Sequence, residues 1–106
     1  MLMNARQDRT LLLEPHDLEI VVKILKQYLP EYAIWVFGSR VRGGAKKFSD
    51  LDLVVVTTEP LSLEKLVDVE EAFDQSDLPF KVDIVDWAST TEAFRNIINE
   101  CKVVLL

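Results

Sequence analysis

Apolar residues change their spacing several times along the first half of the chain. Over residues 17–29 they recur every three or four positions, which predicts an amphipathic helix that Pro30 is expected to end. Residues 33–37 and 51–57 are instead continuous apolar runs, as is typical of buried strands, and the second run is rich in valine. Between these strands, residues 39–43 predict a short helix. The first half is therefore predicted to form a helix, a strand, a short helix and a strand.

The second half continues this alternation of helices and strands. A helix is predicted from an N-cap at Ser62 to about Gln75. Its inward face is predicted to consist of Leu63, Leu66, Val67 and Phe73. Residues 80–86 predict a third strand, and residues 89–92 have the sequence of a capping box, which predicts a last helix. The apolar stripe of that helix is predicted to consist of Phe94, Ile97, Ile98 and Cys101, and residues 103–106 predict a short terminal strand.

This order of elements predicts an α/β or α+β fold, in which helices pack on a small sheet. A length of 106 residues fits one domain, residues 1–106, and leaves nothing from which to build a second. Residues 1–14 are expected to be a loose lead, or one that a partner orders. The apolar segments Leu11–Leu13 and 103–106 are candidates for a partner surface. For Val103–Val104, packing in the core is the preferred interpretation.

Composition narrows the classes of partner and compartment. An apolar fraction of 49% favours a folded domain over disorder. The net charge of -6, from 18 acidic and 12 basic residues, argues against an extended nucleic-acid surface, because such a surface needs clustered Lys and Arg. No apolar stretch approaches the roughly 18 residues of a membrane span. Cys101 is the only cysteine, so no intrachain disulfide can form. We therefore expect a cytoplasmic protein without a membrane segment.

Two carboxylates stand at the start of the valine-rich strand. Because side chains alternate along a strand, Asp50 and Asp52 are expected to point to the same face. Two ionised carboxylates this close repel each other, and a divalent cation between them would remove that cost. A ligand set made only of oxygen atoms suits Mg²⁺, which completes its shell with water and phosphate oxygens. The acid pair therefore predicts a magnesium site.

A third carboxylate is expected from the third strand, where Asp83 and Asp86 are the candidates. Their spacing places them on opposite faces of a regular strand. Asp83 lies mid-strand between Val82 and Ile84. Burying a carboxylate there costs free energy unless an interaction such as metal ligation compensates it. Solvent is a sufficient explanation for Asp86 at the strand end. We therefore predict Asp83 as the third ligand.

Gly38 and Ser39 follow the first strand and are predicted to hold phosphate. Glycine lets the main chain approach a ligand closely, and the N–H groups of the short helix beginning near Ser39 would point at an anion. Arg40 and Arg42 add local positive charge and are predicted to contact the nucleotide. Each feature alone has a plainer interpretation, since a Gly-Ser pair is an ordinary turn and an arginine can face solvent or pair with Asp50. Their combination with the acid pair favours a nucleotide site.

The spacing of these residues resembles a known motif. Gly38-Ser39, ten residues and then Asp50-X-Asp52, in the stretch GSRVRGGAKKFSDLDL, resembles the nucleotidyltransferase superfamily typified by DNA polymerase β. The chain is most similar to the minimal nucleotidyltransferases (MNT) encoded beside HEPN-domain proteins in bacteria and archaea. The leading helix, the segment KVDIVDW and the C-terminal helix fit as well, so the resemblance covers nearly the whole chain.

The resemblance implies a polymerase β-like fold, with a small mixed sheet flanked by helices. It also implies that Asp50, Asp52 and Asp83 bind two Mg²⁺ ions and act in catalysis. Gly38 and Ser39 would hold the β- and γ-phosphates of ATP or another nucleoside triphosphate. Val41 stands where alanine is common, and Gly44 stands where a polar residue is common. Neither difference removes a ligand.

Related MNT proteins are antitoxins that adenylylate a tyrosine of their HEPN partner. The resemblance therefore implies transfer of AMP from ATP to a hydroxyl on a HEPN-domain protein, and it fits either a homodimer or a hetero-oligomer. The alternative is an antitoxin that neutralises its partner by complex formation, without catalysis. Modification of a small molecule such as an antibiotic is a third and weaker interpretation, because the chain has no second domain to hold such an acceptor.

Overall fold

The computed structural model describes the main chain of residues 2–4, 10–42 and 48–106, and the side chains of residues 11–41 and 48–106. Its strands are β1 (Leu2–Asn4), β2 (Thr10–Leu12), β3 (Ala33–Phe37), β4 (Leu51–Val56), β5 (Val82–Asp86) and β6 (Val103–Val104). Its helices are α1 (Pro15–Tyr28), α2 (Ser39–Arg42), α3 (Leu63–Asp74) and α4 (Glu92–Cys101), with a 3₁₀ turn at Trp87–Ser89. The predicted helices and strands are all present, and the order confirms the mixed α/β class.

Four strands form one mixed sheet, in the order β5-β4-β3-β6. β3 is antiparallel to both β4 and β6, whereas β4 and β5 are parallel because α3 returns the chain between them. The register places Asp52 opposite Phe37 on one side and Asp83 on the other. β1 and β2 form a separate antiparallel pair. The sheet therefore brings the Gly38 turn and the two acidic strands into adjacent positions.

The two faces of the sheet carry different helices. Leu51, Leu53 and Val55 are fully buried in the main core, together with residues of α1 and α3. Val54 points to the other face and packs with Phe37 and with the α4 residues Ile98 and Cys101. The second residue of β4, Asp52, shares this α4 face with Val54. Two cores thus fix both faces of the strand that carries the acid pair. No helix in the described ranges is long and apolar enough to cross a membrane.

The described end of the segment that was expected to be a loose lead packs in the main core. The side chains of Leu11 and Leu13 are 0% and 3% exposed and belong to the main core. The β1–β2 pair orders this segment, which a reading of hydrophobic periodicity missed because each strand is only three residues long. At the other end, Val103 and Leu105 are buried, as the preferred interpretation predicts, whereas Val104 is 56% exposed.

Two predictions about the helices are wrong, namely the inward face of α3 and the N-cap of α4. Leu63 and Val67 of α3 are 76% and 46% exposed, and the fully buried side chain is Val69. The helix packs through Leu66, Val69 and Phe73. α4 is capped by Thr91, whose hydroxyl accepts from the Phe94 N–H, and not by the predicted box beginning at Ser89. Ser89 belongs to the preceding 3₁₀ turn, which explains the difference.

Leu11→Ala is expected to lower the free energy of unfolding by about 2–5 kcal/mol, because it leaves a cavity at a fully buried position. Leu63→Ala is the matched control and is expected to change it by less than about 0.5 kcal/mol, since Leu63 is mostly exposed. Urea unfolding followed by circular dichroism measures both. Equal effects for the two variants would contradict the packing of the N-terminal segment.

Candidate active site

The three predicted carboxylates lie on two neighbouring strands. Asp50 immediately precedes β4 and is exposed, Asp52 is half-buried within β4, and Asp83 is the second residue of β5. Asp52 and Asp83 are partners in the parallel register, so their main chains lie side by side. Both alternate with side chains of the main core, and they therefore project from the α4 face. The structure brings Asp52 and Asp83 together on that face.

Electrostatic crowding is strongest at Asp52. Burial, together with the negative charges of Asp83 and Asp50, raises the pKa of the Asp52 carboxyl to about 6. Each of these causes disfavours the ionised form. A cation bound to the carboxylate would oppose all three. The site therefore has the electrostatic character of a binding position for a metal cation.

The carboxylates do not form a ready-made cage in this structure. Among the described side chains, no group of three His, Cys, Asp or Glu residues is placed to hold one metal ion. The Asp83 Oδ1 atom lies 3.4 Å from the Lys81 Nζ atom, in an ion pair whose side chains are both largely exposed. Such exposed pairs contribute only about 0–1 kcal/mol, so Asp83 can leave Lys81 at small cost. Sequence analysis missed Lys81, although a lysine two residues before Asp83 on one strand was the available signal.

Gly38 makes close approach to Asp52 possible. Its φ of +85° lies in the left-handed region, which side chains other than glycine rarely adopt. A Cβ atom at this position would overlap the Asp52 Oδ2 atom. The Gly38 carbonyl accepts the Val41 N–H at 3.1 Å, which starts the turn into α2. Ser39, the first residue of α2, is half-buried. The glycine, the serine and the central carboxylate are therefore neighbours.

Arg40, which is predicted to contact the nucleotide, bonds to main-chain oxygens in this structure. Its side chain is 5% exposed, and Nε and Nη2 donate to the Ser49 carbonyl at 3.1 and 2.9 Å. Nη1 donates to the Leu12 carbonyl at 3.0 Å, and the guanidinium stacks 4.2 Å from the centroid of the Phe80 ring. Burial lowers the pKa of Arg40 from its ordinary value, and Asp17 acts in the opposite direction. These bonds tie α2 to β2 and to the residue just before Asp50.

Arg40→Met is expected to lower the free energy of unfolding by about 2–4 kcal/mol, because it removes the three hydrogen bonds that the guanidinium donates to the carbonyl oxygens of Ser49 and Leu12. Arg40→Lys is expected to recover only part of this, since an ammonium group cannot reproduce the planar fork. Chemical unfolding of both variants, with calorimetry of Mg·ATP binding, measures the effect. A methionine variant of normal stability that has lost ATP binding would instead place Arg40 at the phosphates.

Other polar and aromatic residues near the site have different positions. The side chain of Arg42 and the loop 43–47 lie outside the described residues. The Asp86 carboxylate accepts the Leu61 N–H at 2.7 Å and the Ser89 N–H at 3.0 Å, so it holds two segments together and does not join Asp52. Trp87 packs edge-on against Trp35 with a ring-centroid distance of 5.4 Å. Trp87 therefore packs with the residues that cover the α4 face of the sheet.

The Asp52 carboxyl is expected to titrate with a midpoint near pH 6 in metal-free solution, above the range of about 4 that is usual for aspartate. Carbon NMR of the side-chain carboxyl, followed against pH, measures the midpoint. Adding Mg²⁺ should lower it, because a bound cation favours the ionised form. A midpoint near pH 4 without metal would contradict the burial and electrostatic crowding of the Asp52 carboxyl.

Comparison with known proteins identifies the family. The family model for polymerase beta nucleotidyltransferases matches residues 19–106. A Haemophilus influenzae protein named as a probable protein adenylyltransferase, MntA, is 50% identical over 93 residues, which are 88% of this chain and 82% of that protein.

Solved structures of toxin–antitoxin complexes share the fold. A toxin–antitoxin complex with AMP-PNP has a TM-score of 0.70 at 23% identity, covering 84% of this chain and 72% of that one. A tri-AMPylated Shewanella oneidensis HEPN toxin in complex with an MNT antitoxin has a TM-score of 0.66 at 20% identity, covering 89% and 72%. The family match, the sequence relative and the shared fold agree, and this chain belongs to the polymerase beta nucleotidyltransferase family.

Proposed function

We propose that this protein transfers AMP from ATP to a hydroxyl group of a HEPN-domain partner, as the antitoxin of a toxin–antitoxin pair. The observation that carries the proposal is the placement of Asp52 between Gly38 and Asp83, with its pKa raised by burial and by neighbouring carboxylates. Support comes from the relative named as a probable protein adenylyltransferase, which is half identical to this chain. Further support comes from the shared fold of the MNT antitoxin that is bound to an AMPylated HEPN toxin.

Magnesium fits the residues present. Asp50 and Asp52 supply oxygen ligands, and the crowded negative charge at Asp52 matches a hard divalent cation. Asp83 would join them after its exposed ion pair with Lys81 opens. When bound, Mg²⁺ would neutralise charge on the triphosphate and on the departing pyrophosphate. The expected number of two ions comes from the family resemblance.

The chain's own residues account for the remaining chemistry. The main chain at Gly38 approaches the triphosphate closely because no Cβ intervenes, and the Ser39 hydroxyl donates a hydrogen bond to it. Asp83 accepts the proton of the attacking hydroxyl. The hydroxyl oxygen forms a bond to the α-phosphorus while the bond from that phosphorus to the bridging oxygen breaks, and pyrophosphate leaves. We assign Arg40 the role of positioning Ser49, and thereby Asp50, rather than of binding phosphate.

A comparison of ATP labelled at two different phosphorus atoms tests this reaction directly. The protein, Mg²⁺ and the HEPN-domain protein from the same genome are incubated with ATP labelled either at the α-phosphorus or at the γ-phosphorus. The proposal predicts label on the partner from the α-labelled ATP alone. Label from the γ-labelled ATP would indicate a kinase, and no label from either would reject transfer to this partner.

A non-catalytic antitoxin is the second candidate function. It is favoured by one observation, namely that Asp83 pairs with Lys81 and the three carboxylates do not converge. The double variant Asp50→Asn with Asp52→Asn separates the two functions, because it removes the expected magnesium ligands. Growth protection against the co-expressed partner should be lost if catalysis is required. Full protection would favour neutralisation by complex formation.

A further inference from the structure

An open pocket of about 540 Å³ lies beside the C-terminal half of β5. Ile84 and Val85 both line it, although successive residues of a strand point to opposite faces. The pocket therefore straddles the edge of the strand. β5 is the outer strand of the sheet, and within the described ranges no strand pairs with its other side. An edge of this kind can accept main-chain hydrogen bonds from an added extended segment.

The walls of this pocket are largely apolar and come from the starts of two helices. Leu61, Leu63 and Leu66 contribute from the α3 side, and Phe94 contributes from α4. Leu63 is 76% exposed, which is unusual for a large apolar side chain. Its exposure explains why the predicted inward face of α3 was wrong at this end. The exposed leucine stands at the rim, where it can contact an apolar side chain of a bound segment.

The pocket adjoins the catalytic face. Val85 is two residues beyond Asp83, so their side chains share the α4 face at a separation of about 7 Å along the strand. Gly38 lies against Asp52, whereas Asp83 lies on the opposite side of Asp52 in the strand order. Phosphoryl-type displacement places the attacking and leaving oxygens roughly in line. If the leaving pyrophosphate is held at Gly38, the attacking hydroxyl arrives across β5.

Negative charge near the pocket indicates which kind of peptide segment can bind there. Glu64 and Glu92, in the first turns of α3 and α4, are both exposed, as is Glu59. Lys65 is held by Glu31 at 3.1 Å. Each of these three glutamates is next in sequence to a residue that lines the pocket, and this negative charge favours a segment with a basic residue beside its apolar anchor.

We propose that this pocket and the free edge of β5 dock the segment of the acceptor protein that carries the modified hydroxyl. The segment is extended, with one apolar anchor and at least one basic residue, and it adds main-chain bonds to β5 while its hydroxyl side chain reaches Asp83. This inference rests on the proposed function, because it requires a protein acceptor.

Binding and transfer are measured separately, with the HEPN-domain protein from the same genome as the probe. Leu63→Arg places a positive charge at the rim, and Gln27→Arg is the control on α1, where Gln27 is exposed and does not line the pocket. Calorimetry gives the Kd for the probe, and steady-state transfer gives its KM. We expect Leu63→Arg to raise both at least 10-fold with the Kd for Mg·ATP unchanged, whereas Gln27→Arg leaves all three near wild type. Leu63→Ser, a milder change, is used if the arginine variant unfolds at a lower temperature.

Hydrogen exchange gives a second readout that does not depend on any substitution. Binding of the probe to the wild-type protein should slow amide exchange in peptides covering 60–66 and 82–89, and not in the peptide covering 102–106. Equal Kd values for the two arginine variants, or no protection over 82–89, would overturn the docking site even if AMP transfer occurs. Weaker binding by Leu63→Arg with no transfer in the wild type would support the docking site and reject the proposed function.

Discussion

Asp52→Asn is expected to lower AMP transfer by roughly 100- to 1,000-fold while making the protein more stable. Activity falls because the amide cannot supply a negatively charged oxygen to the cation between the triphosphate and the enzyme. Stability rises because the wild-type carboxylate is partly buried and lies near Asp83 and Asp50. These opposite changes distinguish a site residue from a structural one, for which both quantities fall together.

The sign of the stability change follows from the raised pKa. Between about pH 4 and pH 6 the folded protein holds a proton on Asp52 that the unfolded chain has released. The contribution of that proton to the free energy of unfolding is fully present below about pH 4, and it is lost as the pH rises through about 6. Asn carries no such charge, so at pH 7 without metal we expect the variant to be more stable by about 1 kcal/mol, after allowing for solvent screening of a half-exposed group.

Asp68→Asn is the matched control, since it removes an exposed carboxylate on α3 at a distance from the site. It should leave transfer unchanged and alter the free energy of unfolding by less than about 0.5 kcal/mol. Urea unfolding at pH 4 and pH 7 with EDTA, and transfer of α-labelled AMP with Mg²⁺, measure both quantities. Loss of stability at pH 7 in the Asp52 variant would contradict the crowded-carboxylate account.

Gly38→Ala is expected to abolish Mg·ATP binding and to lower the free energy of unfolding by about 2–4 kcal/mol. The left-handed φ of +85° alone costs an alanine about 1–2 kcal/mol. The new Cβ would also overlap the Asp52 Oδ2 atom, so the carboxylate or the turn must move. Ser39→Ala is the control, because it removes a hydroxyl without changing the turn, and its stability should stay within about 1 kcal/mol of wild type.

A double-mutant cycle isolates the overlap from the backbone strain. In an Asp52→Ala background, the Oδ2 atom that Gly38→Ala would meet is gone, whereas the left-handed φ is unchanged. The glycine substitution should therefore cost less in that background, by about 1 kcal/mol or more of coupling energy. Additive effects would show that Gly38 and Asp52 do not approach each other.

The helices could be predicted from their periodic apolar spacing, and the central strands could be predicted from their apolar runs. Asp83 was predicted because a carboxylate in the middle of an apolar strand needs compensation such as metal ligation, and the parallel register then places it beside Asp52. The hydrogen bonds of Arg40 could not be predicted, since its partners are main-chain oxygens of Ser49 and Leu12, which carry no sequence signal.

The ends of elements were less predictable, because they depend on how far each element extends past the sheet. Leu63 has the spacing of an inward residue but lies at the exposed start of α3. Ser89 does not cap α4, because it belongs to the turn in which its N–H donates to the Asp86 carboxylate. Thr91 caps the helix instead. The buried Leu11 was unpredictable for a related reason, as a three-residue strand shows no measurable periodicity.

The central claim is that Asp52 acts in transfer of AMP to a protein hydroxyl. The most direct test is intact-mass and peptide-level mass spectrometry of the HEPN-domain partner, purified after co-expression with the wild type or with Asp52→Asn. The account predicts a mass increase of one or more adenylyl groups, located on a hydroxyl side chain, with the wild type and none with the variant. An unmodified partner in both cultures, or equal modification in both, would contradict it.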